Sequence, residues 1–220
     1  MRTHRSIPAL FAALLIVLGA SIAVWADATP SREYQLKAAF LYNFMMFIDG
    51  HRFAPESGDE EGPDPNKPIV IGIVGVDPFG KVFGPLKGRR IKDRLVVVKR
   101  FKGLDEFTDP NGNVPLQHPQ LNAIKACHVL FVCASERKHV QSHLNPIREL
   151  GILTVADMPG FLEAGGIVNF VIDKKKVRFE VNTAAAARAK LQIRSRLLRL
   201  AKRVVRYDPS QKQNGENGTE

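Results

Sequence analysis

Asp77, Ser135 and Asp157 each stand just past a run of apolar, largely β-branched residues: IVIGIVG (69–75), HVLFVCA (128–134) and ILTVAD (152–157). If these runs are strands buried on both faces of a parallel sheet, the three polar groups share the rim where open α/β sheets place a ligand crevice. Two of them lead into aromatic turns, Asp77-Pro-Phe79-Gly and Asp157-Met-Pro-Gly-Phe161. An acid beside a ring could hold a small ligand or a partner's loop. The alternatives are that the polar residues only cap strand ends and that both rings fold back onto the sheet. His139 and His143, four residues apart, could share a metal on one helix face, but no HExxH surrounds them and no third ligand can be named. Gly72, Gly75 and Gly80 do not form GxGxxG, and neither a GxxxxGK[ST] loop nor a GxSxG elbow occurs. The chemistry on offer is that of binding, with no cofactor and no metal implied.

The elements that must position these residues follow from periodicity. RLVVVKR (94–100) repeats the buried-strand pattern. Between the strands at 128–134 and 152–157, Val140, Leu144 and Ile147 recur at helical spacing, with Ser135 to cap that helix and Gly151 to stop it. Strand, helix and strand at this interval imply a mainly parallel sheet. IVNFVI (167–172) and VRFEVN (177–182), joined by Asp173-Lys174-Lys175-Lys176, read as a hairpin. The expectation is one α/β domain over 27–206: a three-layer sandwich with a mostly parallel sheet of five or six strands, an antiparallel hairpin at one edge and helices on both faces. Residues 49–68 read as an acidic, Pro- and Gly-rich solvated loop, and 207–220 as a disordered polar tail. A single basic amphipathic helix is predicted over 183–205, packed by its Leu/Ile/Val side or lying on an anionic membrane surface. Cys127 and Cys133 are expected on one face of one strand, too far apart to bond, as buried free thiols; a redox or intermolecular role is the alternative.

Arg2, His4 and Arg5 precede an uncharged stretch from Ile7 to Trp25 that ends in Val24-Trp25-Ala26. This is the pattern of a secretory signal peptide, residues 1–26, cleaved after Ala26; an uncleaved inner-membrane anchor is the rival. Without Arg2 and Arg5 the formal charge falls from +10 to +8, and in an exported protein that charge meets anionic lipid, acidic glycan or an acidic protein face, not nucleic acid. YQLKAAFLYNFMMFI (34–48) is too short to span a bilayer. Tyr34, Ala38, Leu41, Met45 and Ile48 recur at helical spacing beside a second stripe of Phe40, Phe44 and Phe47, with Gln35, Lys37 and Asn43 interrupting, and Thr29, Pro30 and Ser31 supply the start. This is either a core helix or one that offers Tyr34, Phe40, Phe44 and Phe47 to a partner or a second copy.

Four stretches in order, YQLKAAFLYNFMMFI, IVIGIVGVDPFG, ACHVLFVCAS with GILTVADMPGFLEAGGIVNFVI, and RFEVNTAAAARAKLQIRSRLLRLA, resemble the YfiR family of exported bacterial proteins. Together they cover nearly all of residues 27–206. The resemblance implies a periplasmic regulator with no catalysis of its own. Such a protein restrains the periplasmic region of an inner-membrane diguanylate cyclase and is released when an outer-membrane protein captures it, which changes cyclic di-GMP and biofilm formation. A sensor kinase is the other target the family implies. Where members commonly carry Trp-Pro after the first helix, this chain reads FIDGHRFAPES, with Phe53 and Pro55 in that region. Cys127 matches a family cysteine, but no further cysteine stands elsewhere to form the family's disulfides.

Overall fold

The computed structural model describes residues 31–53, 64, 66–86 and 88–206. The expected leader (1–26), most of the acidic loop and the polar tail lie outside the described residues. The Ser31 hydroxyl accepts the Tyr34 N–H and opens α1 (Arg32–Phe47), which satisfies one of the donors a helix start leaves free. No described helix is long and apolar enough to cross a membrane.

The strands follow in chain order as β1 (Ile48–Asp49), β2 (Ile69–Val74), β3 (Arg90–Ile91), β4 (Arg94–Phe101), β5 (Val129–Val132), β6 (Leu153–Ala156), β7 (Val168–Asp173), β8 (Lys176–Asn182), β9 (Gln192–Ile193) and β10 (Arg203–Val205). Eight of them form one sheet in the order β10-β8-β7-β6-β5-β2-β4-β3, and β1 pairs with β9. β4, β2, β5, β6 and β7 run parallel, whereas β7–β8 and β3–β4 are antiparallel. The fold is thus the expected single α/β domain, with β3 and β10 as two short additions at the edges.

Alternation divides the sheet's side chains between two cores. Ile69, Ile71, Ile73, Val129 and Phe131 pack towards α1, α4 (Thr183–Arg188) and α5 (Ser195–Leu198). Val70, Val74, Leu130 and Val132 pack towards α2 (Leu121–Lys125) and α3 (Val140–Leu144). Apolar strands with no polar face require this double cover.

Four local readings change. The helix predicted over 183–205 is broken into α4, β9, α5 and β10, because Lys190 takes φ +55° and ends the first turn run. Tertiary pairing then wins over helix propensity: Ile193 pairs with Ile48, Arg194 clamps Asp49 at 2.7 and 3.0 Å, and Arg203–Val205 adds to β8. The helix expected after β5 is also divided, with 3-10 turns at Ala134–His139 and Asn145–Ile147 on either side of α3. Its predicted apolar face, Val140, Leu144 and Ile147, is buried, but Ser135 does not cap it. Residues 49–53 are not a solvated loop throughout: Asp49 lies in β1, Phe53 is buried against the His128 ring, and Arg52 donates to the carbonyls of Lys125, Cys127 and Leu150. Finally, Cys127 and Cys133 are free and buried but lie in opposite cores: Cys133 continues the alternation of Val129 and Phe131, whereas Cys127 precedes β5 in the turn that follows α2, where its N–H bonds the Ile124 carbonyl.

Candidate functional site

The rim between β2 and β5, where the strand order reverses, is filled by the protein's own side chains. Asp77 accepts the Phe79 N–H at 2.7 Å and the Arg100 Nε–H at 2.6 Å. Ser135 Oγ accepts the Val76 N–H at 3.0 Å and donates to Glu136 at 3.3 Å. A Cβ on Gly75, which has φ +97°, would lie 2.4 Å from that Ser135 Oγ, so glycine is what lets the two loops close. Glu136 is buried and takes the Leu104 N–H and His143 Nε2, each at 2.9 Å. Burial pushes its carboxyl up, but these donors outweigh burial and hold it below the usual range. His139 turns the other way, onto Asp105 at 2.8 Å, so the two histidines serve different carboxylates.

Phe79 and Phe161 are both buried, one in each core, so neither ring stands at the rim.

Asp157 is in a different setting. β6 ends level with Asn169, while β7 and β8 run on past it. Beyond the end of β6 lies a cavity of about 450 Å³, roofed by the Asp157–Glu163 loop and reached by the first turns of α1. The Asp157 side chain is only 6% exposed; its Oδ2 accepts from Lys37 Nζ at 2.6 Å and from the Tyr34 hydroxyl at 2.8 Å. Lys37, itself 3% exposed, also meets Glu33 at 2.5 Å and lies 4.2 Å from the centre of the Tyr34 ring. Burial, then the hydrogen bond to Asp157, pushes the Tyr34 hydroxyl's pKa well above its ordinary value, so this hydroxyl donates and stays neutral. Asp157 Oδ1 has no hydrogen-bond partner. On the far side of the cavity, Arg203 Nη2 bridges Glu180 at 2.7 Å and Glu163 at 3.3 Å.

Lys37 was legible only as an interruption of an apolar helix. The signal that finds it is angular: at 100° per residue Lys37 falls on the same arc as Leu41 and Phe44, and a lysine there requires a buried acid.

The aromatic face of α1 divides. Phe44 is fully buried, with its ring 5.7 Å from Phe170 and 5.0 Å from Phe179. Tyr34 is engaged with Asp157 and the Phe79 ring. Phe40 and Phe47 are half-buried against the core, and Leu36 and Met46 are the large apolar residues that α1 exposes, at 45% and 40%.

A second hollow of about 440 Å³, at the opposite end of the sheet, is lined by Arg52, Lys67, Arg94 and His128 among others.

A model of the family described as YfiR/HmsC-like matches residues 34–202, from Tyr34 of α1 to the residue before β10. The chain matches none of the curated proteins compared with it.

Proposed function

The chain belongs to the YfiR/HmsC-like family, and on that premise we propose that it is a regulator, not an enzyme, which restrains a membrane-bound diguanylate cyclase by docking on that protein's periplasmic region. The match over 34–202 is the observation that carries this reading. On this reading the protein works in the periplasm, with its leader cleaved after Ala26, and cyclic di-GMP and biofilm formation are the cellular output. Release would follow capture by an outer-membrane protein. A sensor kinase is the alternative target, and a dimer of this chain is compatible with the same surface.

The docking face is assigned to the outer side of α1. Phe44, Met45 and Leu41 are committed to the core, so the face consists of Leu36 and Met46 with the half-exposed edges of Phe40 and Phe47. Met and Phe are among the residue types enriched at protein interfaces, and Leu36 adds exposed apolar surface to the same helix.

The test is a pull-down of the exported protein from membrane extract, with wild type, Leu36→Ser/Met46→Ser and Phe44→Ala, alongside cyclic di-GMP measured in a deletion strain. The exposed pair should lose the membrane protein and keep its thermal stability. Phe44→Ala should lower stability by roughly 3 to 5 kcal/mol and affect capture only through unfolding. Recovery of no membrane signalling protein, with cyclic di-GMP unchanged by the deletion, refutes the reading.

A further inference from the structure

β4 is paired along one edge and largely bare along the other. On its inner edge it pairs with β2 from Val96 to Phe101, whereas on its outer edge β3 reaches only Arg94 and Leu95. The turn that joins β3 to β4 is two residues long, with Lys92 at φ +48° and Asp93 at φ +62°. One further bond, from the Val96 N–H to the Arg89 carbonyl at 3.1 Å, ends the outer pairing. In a parallel ladder a residue turns both of its backbone groups to the same neighbour, and the next residue turns them to the other side. The Phe101 carbonyl accepts the Gly75 N–H, so Val97, Lys99 and Phe101 face β2 while Val98 and Arg100 face outward. Neither outward residue has a backbone partner among the described residues. Leu95 and Val97 share a face with Phe101, which is buried in the core under α2 and α3. They are nevertheless 44% and 38% exposed, so those helices do not reach this part of β4. Around them the charge is of one sign: from 87 to 102 eight residues are Lys or Arg, and Asp93 is the one acid. Lys92, Arg100 and Lys102 meet carboxylates and Arg94 is buried. Arg90, level with Leu95, and Lys99 are exposed, lie on the face of Leu95 and Val97, and have no carboxylate among the described residues.

From this geometry we infer that the outer edge of β4 takes up an extended acidic segment of a partner protein as an added strand. Unpaired N–H and C=O groups at Val98 and Arg100 are met in full only by another extended backbone, which is the mode of strand addition. Arg90 and Lys99 select its charge, and Leu95 and Val97 offer its side chains an apolar surface. A second copy of this chain is a poor occupant, because pairing two such edges sets lysine and arginine against their like. An anion that is not an extended polypeptide satisfies the charges and leaves the backbone groups bare. The inference goes beyond the docking reading: α1 packs on the other face of the sheet, so the two surfaces are separate and either can fail alone.

Isothermal titration of the purified protein with blocked octapeptides tests it. Alternating Glu-Val should bind saturably, more tightly than alternating Lys-Val by about tenfold or more, and more weakly as salt rises. N-methylating Glu-Val at every second residue, in the two complementary versions, removes the N–H groups of one strand edge at a time, so at least one version should lose about tenfold or more. Arg90→Glu/Lys99→Glu should reverse the preference between the two peptides. Val98→Pro removes an outward N–H that β2 does not use and should abolish binding. Its fold is checked by circular dichroism, and if it fails to fold the methylated peptides and the charge reversal decide. Leu36→Ser/Met46→Ser should bind Glu-Val as wild type does. The inference is overturned by no saturable binding, by equal affinity for the two peptides, by both methylated versions binding like the parent, or by indifference to the charge reversal or to a folded Val98→Pro. It is equally overturned if Leu36→Ser/Met46→Ser loses the peptide, which would put it on α1, or if heparin binds and Glu-Val does not. Self-association of the protein alone that Val98→Pro abolishes also overturns it, since a second copy would then cover the edge.

Discussion

Acidification should destabilise this protein through His128. The ring, on the residue before β5 and 8% exposed, faces a donor on each nitrogen: the Val70 N–H of β2 is 3.1 Å from Nδ1, and Nη2 of Arg94 on β4 is 2.8 Å from Nε2. Neutral imidazole has one lone pair to offer, and protonated imidazole has none. Arg94 has no freedom to turn away, since its guanidinium also donates to the carbonyls of Arg52, Lys67 and Pro68. Burial first, then the charges of Arg94 and Arg52, lowers the His128 pKa from 6.5 to about 4. The unfolded chain therefore binds the proton more readily than the folded one. The stability that neutral His128 contributes is fully present above pH 6.5 and is lost as pH falls from there towards 4, about 3 kcal/mol over the whole interval. Burial also lowers the His118 pKa, and hydrogen bonds lower that of Glu136, so acid acts in the same direction there. The test is therefore a difference. Urea midpoints of wild type and His128→Asn are measured from pH 7.5 to 4.5; the amide oxygen still accepts from Val70 but does not titrate. The variant starts less stable and its curve should flatten, so that the two converge as pH falls. Parallel curves across that range would refute a neutral, doubly opposed His128.

Three further outcomes follow. Lys37→Met leaves the buried Asp157 without its cation and should lower stability by about 3 to 5 kcal/mol, while Lys37→Met/Asp157→Leu recovers much of the loss; thermal unfolding of the three proteins measures it. Asn182 accepts the Ala185 N–H at 3.0 Å and donates to the Leu162 carbonyl at 3.1 Å, so Asn182→Ala should cost about 2 kcal/mol in a denaturant titration. Cys127, its thiol pushed up to about 11 by burial, and Cys133, pushed higher still by burial and nearby acids, should resist a thiol reagent at neutral pH and both label once the chain is denatured.

The parts of the fold that were legible are those where one short-range rule suffices. Ile69–Val74, Val129–Val132 and Leu153–Ala156 are buried at every position and apolar at all but Thr154, and only a strand covered on both faces tolerates that. The C-terminal segment was misread because its pattern fits two structures. Leu191, Ile193, Leu197 and Val205 lie on one helical arc, yet the same four residues also bury or half-bury as separate short elements. What decides between them is remote: the bare edge of β1 at Asp49, which takes Arg194, and the edge of β8, which takes Arg203. No window of local sequence contains those edges.

The polar rim shows the same division between local and remote information. Position alone put Asp77, Ser135 and Asp157 on one end of the sheet, but position could not say which of them keeps a free oxygen. Asp77 is consumed by its own Asx turn, a contact two residues long, and Ser135 by the loop after β2. Asp157 differs because its main partner, Lys37, lies 120 residues away on a helix that reads as apolar. A lysine on a core-facing arc is unfavourable unless it is paired, so α1 cannot seat without the loop after β6, and that loop cannot hold its carboxylate without α1. The outer side of the same helix carries Leu36 and Met46. A ligand that drew Asp157 or Glu33 away from Lys37 would therefore act first on the seating of the element whose far face is assigned to the partner.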